Sequence, residues 1–166
     1  MKTDGTGWGL IRLIALDVDG TLTDGSLLYA GDDVMQRFSS RDGAGIIEAH
    51  RAGLKVALVS FRDFPATRSR AADLGVAPDL LHLGCADKAS ALRLICGRLG
   101  IPLESVLFMG DDLVDIPAIG IAGIGACPSS GHRLAREAAD HVTSAAGGDG
   151  AVREVIDLVL EDRNGG

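Results

Sequence analysis

The sequence predicts an α/β fold: a Rossmann-like, doubly wound parallel sheet with helices on both faces and a small β-hairpin insertion. Three observations lead there. Short apolar runs alternate with helical stretches of about ten to twelve residues, the pattern of right-handed βαβ units. Helical stretches stop at glycines, Gly53, Gly75 and Gly100, as helix C-termini favour. The composition is 46% hydrophobic but only 4% aromatic, so the core is Ala, Val, Ile and Leu packed between layers. A chain of 166 residues fits one domain. At that size roughly 70% of the unfolded surface is buried without a disulfide or metal staple. The expected organisation is a flexible N-terminal tail over 1–10, then a single domain over 11–166 with the hairpin at about 24–38.

The elements follow in order. Residues 11–17 read as the first strand. Residues 26–30 and 34–38 flank Gly31-Asp32, a turn signal, and read as the hairpin. A helix over 42–52 turns Ile46 and Ile47 inward, and 54–59 is a strand. Residues 64–74 are helical and 80–83 form a short strand. Asp87 is a good N-cap for a helix over 88–99, stopped by Gly100 and Pro102. Residues 106–109 are a strand ending in Gly110-Asp111-Asp112. A short helix or turn over 116–119 precedes a weak strand at 121–125. Helices over 130–138 and 150–160 complete the chain.

Charge and cysteine usage limit the partners. The net charge of −7 argues against nucleic acid and against an anionic membrane. A small anionic substrate stays open, because a bound metal ion reverses the local field. No apolar stretch reaches about 18 residues, so no membrane span is expected, and residues 1–9 hold no signal-peptide h-region. Cys85, Cys96 and Cys127 lack metal or redox spacing and read as small core residues in a reducing compartment, which predicts a cytoplasmic protein. Arginines outnumber lysines 13 to 3, so Lys88 is one of few amines present.

Candidate chemistry begins at Asp17-Val18-Asp19-Gly20-Thr21. A buried strand would deliver both carboxylates to its C-terminal edge, where open α/β sheets bind ligands, and side-chain alternation would point Asp17 and Asp19 the same way. Gly110-Asp111-Asp112-Leu113-Val114-Asp115 repeats the arrangement after a second strand. Either cluster alone also reads as a turn or a helix N-terminus. Together they supply the oxygen-rich donor set that suits a hard cation such as Mg²⁺. Ser60 ends a third strand and Lys88 opens a helix. Each alone reads as a turn former or a solvated lysine, and both also suit donation to phosphate oxygens. Other chemistries fail on spacing. Counted from Asp17, the EF-hand glycine and glutamate positions hold Leu22 and Leu28. Gly43-Ala44-Gly45 lacks the last glycine of a dinucleotide fingerprint, no Gly-Lys-Ser/Thr occurs, and the four histidines have no ligand spacing.

Asp17-Val18-Asp19-Gly20-Thr21, Ser60, Lys88 and Gly110-Asp111-Asp112 with Asp115 stand in the order of the four motifs of haloacid dehalogenase-like (HAD) phosphatases, which the chain resembles over most of its length. Thr23-Asp24-Gly25, the hairpin, Phe38 with Arg41-Asp42-Gly43, and Gly147-Gly148 with Gly150-Ala151-Val152-Arg153-Glu154 are similar to the 3-deoxy-D-manno-octulosonate 8-phosphate phosphatases. They are equally similar to relatives acting on other nonulosonate or sugar-acid phosphates.

The resemblance implies a fold without a cap domain and a homotetramer assembled through the hairpins, with a neighbour's C-terminal tail helping to close each site. It implies Mg²⁺-dependent phosphomonoester hydrolysis through an aspartyl-phosphate. Asp17 would be the nucleophile and Asp19 the acid and base. Asp17, the Asp19 carbonyl and Asp111 would hold the metal, supported by Asp112 and Asp115. Ser60 and Lys88 would hold the phosphoryl oxygens, and Gly20, Arg41 and Arg62 would contact substrate.

Two positions depart from the family pattern. Phe61 stands where a glycine is usual, and Asp149 replaces an arginine. An aspartate there repels a carboxylate and favours hydroxyls or an amine. The alternatives are therefore a phosphatase of a specialised pathway with a different small phosphorylated substrate, or a non-catalytic oligomerisation module like the domain attached to sugar-acid cytidylyltransferases.

Overall fold

In chain order the computed structural model, which describes residues 7–165, runs β1 (Leu13–Leu16), the hairpin strands β2 (Leu28–Ala30) and β3 (Asp33–Met35), α1 (Ser40–Arg51), β4 (Lys55–Val59), α2 (Pro65–Asp73), β5 (Leu81–His82), α3 (Lys88–Leu99), β6 (Val106–Met109), α4 (Ile116–Ile121), β7 (Ile124–Cys127), α5 (Arg133–Ala138), β8 (His141–Val142) and α6 (Ala151–Asn164). Six strands form one sheet in the order β5–β4–β1–β6–β7–β8, and every adjacent pair is parallel. This is the doubly wound topology expected. The central strands are buried on both faces, which is why β1 and β6 read as unbroken apolar runs rather than alternating ones.

Local chemistry sets the element ends. The Ser39 side chain accepts from the N–H groups of Arg41 and Asp42 and starts α1. The Asp87 carboxylate accepts from Ser90 N at 3.0 Å and starts α3, which Gly100 ends in the left-handed region at φ +62°. No side chain of its own caps α6. Its first turn is satisfied from α1 instead: the buried Asp42 carboxylate accepts from Gly150 N at 3.3 Å and Arg153 N at 2.8 Å.

The hairpin stands apart as an antiparallel pair, with Ala30 opposite Asp33 across the Gly31-Asp32 loop. Gly31 has φ +65°, the sign a tight hairpin turn needs at its first loop position. Leu28, Tyr29 and Met35 on it are exposed. The hairpin strands are shorter than the sequence predicts: Gln36 donates to Asp19 and Phe38 bridges Thr23, which draws 36–38 back toward the domain.

Four further differences have local causes. Ile46 is buried but Ile47 is exposed, since adjacent residues on a helix lie about 100° apart and Gly45, Ile46 and Ala49 already fill the inner stripe. The weak strand lies at Ile124–Cys127 rather than 121–125, because α4 runs on to Ile121. The two-residue β8, not expected from the sequence, pairs with β7 at the sheet edge. Within the expected N-terminal tail, Trp8–Leu10 form a 3₁₀ turn held on α6. Gly9 N donates to Asp162 Oδ2 at 2.6 Å, and the Trp8 ring meets His141 edge-on at 5.2 Å. Partial burial of the indole against the core supplies the reason. The part of that expectation over 1–6 lies outside the described residues.

Candidate active site

Strand order locates the crevice. The chain moves from β1 outward to β4 and β5, then returns past β1 to β6 and onward. Order reverses between β1 and β6, and ligands of open α/β sheets bind beyond the carboxyl ends of the strands at such a switch point. Asp17 follows β1 and Gly110-Asp111 follow β6. Asp17 N donates to Met109 O at 2.9 Å, so the two edges stay level. Ser60 follows β4, and its N–H bonds His82 O of β5 at 2.9 Å. Lys88 enters from the first turn of α3.

Asp17, Asp111 and Asp115 each offer an oxygen within 4.8 Å of the others. Lys88 Nζ, only 2% exposed, donates to Asp17 Oδ1 and to Asp115 Oδ1, both at 2.5 Å. Asp115 Oδ2 accepts from Asp111 N and Asp112 N at 3.0 Å each. Both oxygens of Asp115 are therefore engaged, while Asp17 accepts from Lys88 on Oδ1 alone and Asp111 Oδ1 accepts from Thr21 Oγ1 at 3.5 Å. Gly20, at φ +89°, lets the backbone lie against this cluster, since a Cβ there would collide with Asp111 Oδ2.

Three carboxylates face one ammonium. Burial, then the charge of Asp115, pushes Asp17 well above the usual carboxylate range, and Lys88 offsets this only in part. Burial, with the Asp115 and Asp112 charges, pushes Asp111 up to about 6. Burial alone would lower Lys88, but Asp17 and Asp115 outweigh it and raise its pKa. One ammonium leaves the pocket short of positive charge, and the carboxylates offer only oxygen ligands, so the residues fit a hard divalent cation such as Mg²⁺. If Asp17 and Asp111 both hold the cation, their protons compete with it, and Mg²⁺ affinity is expected to fall by at least about tenfold per pH unit below about pH 6. Calorimetric titration checks this, and an affinity unchanged between pH 5 and 7 would remove Asp111 from the ligand set.

Other candidates are placed less centrally. Ser60 is buried, and its Oγ accepts from Arg62 N at 3.2 Å. Phe61 beside it is 56% exposed at the rim, and the Arg62 guanidinium lies 5.9 Å from the Phe64 ring. Asp112 is exposed, and its carboxylate caps Leu113 N at 2.7 Å, so it reaches the cluster only as a nearby charge. Arg41 Nη2 pairs with Asp149 Oδ1 at 2.5 Å, both well exposed. Asp149 belongs to the glycine-rich loop that lies on the Gly20–Asp24 turn. Gly148 N donates to Thr21 O at 3.0 Å, and a Cβ on Gly147 or Gly148 would strike that turn's backbone.

Asp19 departs from the alternation argument. The strand ends at Leu16, and the chain turns where Thr21, Leu22 and Thr23 all donate to Val18 O. Asp19 is not one of the three clustered carboxylates, and at the hairpin exit Gln36 Nε2 donates to its Oδ1 at 2.7 Å. Thr67 Oγ1 on α2 donates in turn to Gln36 Oε1 at 2.8 Å. Gln36 and Thr67 carry no spacing or motif that sequence reasoning could have used.

Residues 79–156 match the family described as haloacid dehalogenase-like hydrolase. The chain is 39% identical over 152 residues to the 3-deoxy-D-manno-octulosonate 8-phosphate phosphatase of Haemophilus influenzae, covering 91% of this chain and 83% of that one. To the same-named protein of Escherichia coli K12 it is 40% identical over 152 residues, covering 90% and 79%. The structure of the phosphatase of that name from Moraxella catarrhalis, in complex with magnesium ion, phosphate ion and KDO, superposes with a TM-score of 0.92 at 34% identity, covering 95% of this chain and 90% of that one. The cobalt-bound Haemophilus influenzae structure gives 0.92 at 36% identity, covering 96% and 92%.

Proposed function

Because the chain belongs to the 3-deoxy-D-manno-octulosonate 8-phosphate phosphatases, a family of haloacid dehalogenase-like hydrolases, we propose that it is a Mg²⁺-dependent phosphomonoesterase acting on a small phosphorylated sugar or sugar acid. The observation that carries this reading is the Asp17–Lys88–Asp115 cluster with Asp111 at the sheet's switch point. Asp17, the Asp19 carbonyl and Asp111 would hold Mg²⁺, which neutralises phosphoryl charge when bound. The Asp17 carboxylate attacks phosphorus, and the ester P–O bond breaks to leave an aspartyl-phosphate. Asp19 gives its proton to the departing oxygen, then takes one from the water that attacks the same phosphorus. Phosphate leaves and the Asp17 carboxylate returns. Ser60 Oγ and Lys88 Nζ donate to the transferring oxygens. Asp115 anchors Lys88 and the Asp111 backbone, and Asp112 adds charge from the rim. Gly20 and Arg62 would contact substrate.

One observation favours a second reading of the substrate. Asp149 neutralises Arg41, the cation best placed beside the Gly-rich loop to meet a sugar-acid carboxylate. A substrate bearing hydroxyls or an amine there would meet no repulsion. Phosphate release from a panel of phosphorylated sugars and sugar acids, with and without Mg²⁺, tests both readings. Mg²⁺-dependent turnover supports the phosphatase. A wide margin for 3-deoxy-D-manno-octulosonate 8-phosphate removes the second substrate, and no turnover on any member favours the oligomerisation module.

The same reading includes a homotetramer. The two-stranded hairpin has free edges and exposes Leu28, Tyr29 and Met35, a surface that pairing with copies of itself would cover. Light scattering is expected to give four times the 17.1 kDa chain mass, and Tyr29→Asp a smaller particle. A monomeric mass for the unmodified protein at micromolar concentration contradicts it. Free thiols at all three cysteines suit a cytoplasmic enzyme. Among the described residues no helix is long and apolar enough to cross a membrane.

A further inference from the structure

We infer that Gln36 is a positioning residue for Asp19, fixing which of its carboxylate oxygens is free to carry the proton. The inference rests on the reading of Asp19 as acid and base. Among the described residues, Gln36 is the side chain that donates to the Asp19 carboxylate, at 2.7 Å on Oδ1. A carboxylate oxygen held by an N–H donor is the poorer place for a proton, so the proton is directed to Oδ2. Gln36 has its own direction fixed. Its amide carbonyl accepts from Thr67 Oγ1 at 2.8 Å, and Thr67 is 1% exposed on α2. One turn further along α2, Arg70 donates to Ser39 O at 3.3 Å, and its guanidinium lies 5.9 Å from the Phe38 ring. Residues 36–39, the exit of the hairpin, are thus held on α2 at several points. Rotating the Gln36 amide would break both of its bonds, so Asp19 is offered one donor in one place.

The step it serves balances as follows. As the P–O bond breaks, its electron pair stays on the ester oxygen, which takes the proton from Asp19 Oδ2 and leaves as an alcohol. An alkyl leaving group needs that proton. A nitrophenolate leaves as a stable anion and does not. Positioning of Asp19 therefore matters for alkyl phosphates and little for aryl phosphates in kcat/KM, which reports steps through leaving-group departure.

The experiment compares Gln36→Met, Thr67→Val and the double variant on an alkyl sugar phosphate and on p-nitrophenyl phosphate, with thermal melts of each. Gln36→Met is expected to lose about 10- to 100-fold in kcat/KM on the alkyl substrate, with KM held, and no more than about twofold on the aryl one. Thr67→Val is expected to lose about three- to tenfold, again on the alkyl substrate only, and nothing further in the Gln36→Met background. Equal losses on both substrates, additive losses in the double variant, or no loss would overturn the inference. If Gln36→Met fails to fold, the alkyl-selective loss in Thr67→Val decides alone. The unmodified enzyme's aryl phosphatase activity, abolished by Asp17→Asn, shows separately whether the underlying reading stands; its absence overturns both.

Discussion

Asp17→Asn is expected to yield a folded protein whose phosphate release falls by at least about 10⁴-fold on every substrate, because a neutral amide cannot form the aspartyl-phosphate. The change is nearly isosteric, and Lys88 keeps Asp115 as a partner. Its effect on stability has a definite sign. Burial raises the Asp17 pKa above its unfolded value, so ionisation on going from acid to neutral pH works against the folded state. The amide has no such ionisation, so the melting temperature of the Mg²⁺-free variant at neutral pH should equal or exceed that of the unmodified protein. Phosphate assays and thermal melts on the same preparation separate the two effects. Mg²⁺-dependent activity above about one percent would place the nucleophile elsewhere.

Lys88→Met is expected to do the opposite to stability. It strands Asp17 and Asp115 in the interior without their shared ammonium. Removing one partner of a buried ion pair costs about 3–5 kcal/mol, or roughly 6–20 °C in melting temperature at this chain length. Turnover is expected to fall by about 10²- to 10³-fold, the scale of losing one charged donor to a transferring group. Millimolar Mg²⁺ should restore part of the lost stability, since a cation that binds only the folded protein stabilises it by mass action. Melts with and without Mg²⁺ check this. A Lys88→Met protein that melts where the unmodified one does would mean that the amine is not the charge holding the cluster together.

Much of this site was legible because its residues sit where regular elements end. The apolar runs of β1, β4 and β6 mark their own C-terminal edges, so Asp17, Ser60 and Asp111 could be placed together from the sequence. Asp87 and Gly100 bracketed α3, and with it Lys88, because capping is local chemistry. What stayed hidden depends on irregular backbone. The turn after Leu16 brings the Asp19 carboxylate to Gln36 at the hairpin exit, and no periodicity encodes such a turn. Gln36 and Thr67 meet across 31 residues of sequence, and each is an ordinary polar residue until the fold brings them together. β8 has two residues, too few to show a period, and Trp8 docks through a surface that only the finished α6 provides.

The Asp42 cap on α6 also bears on the order of folding. The first turn of the last helix waits for a carboxylate from the first helix, 111 residues earlier at its closest bond. Such a bond forms only after a long loop has closed, which is entropically late and kinetically slow. The glycine-rich loop hangs immediately before that cap and rests on the turn that carries Asp19 and Gly20. A chain still emerging from the ribosome would hold the sheet and both acidic clusters before it held this loop. The loop before α6 thus closes over the loop after β1, and the crevice acquires its full wall only once α6 has formed.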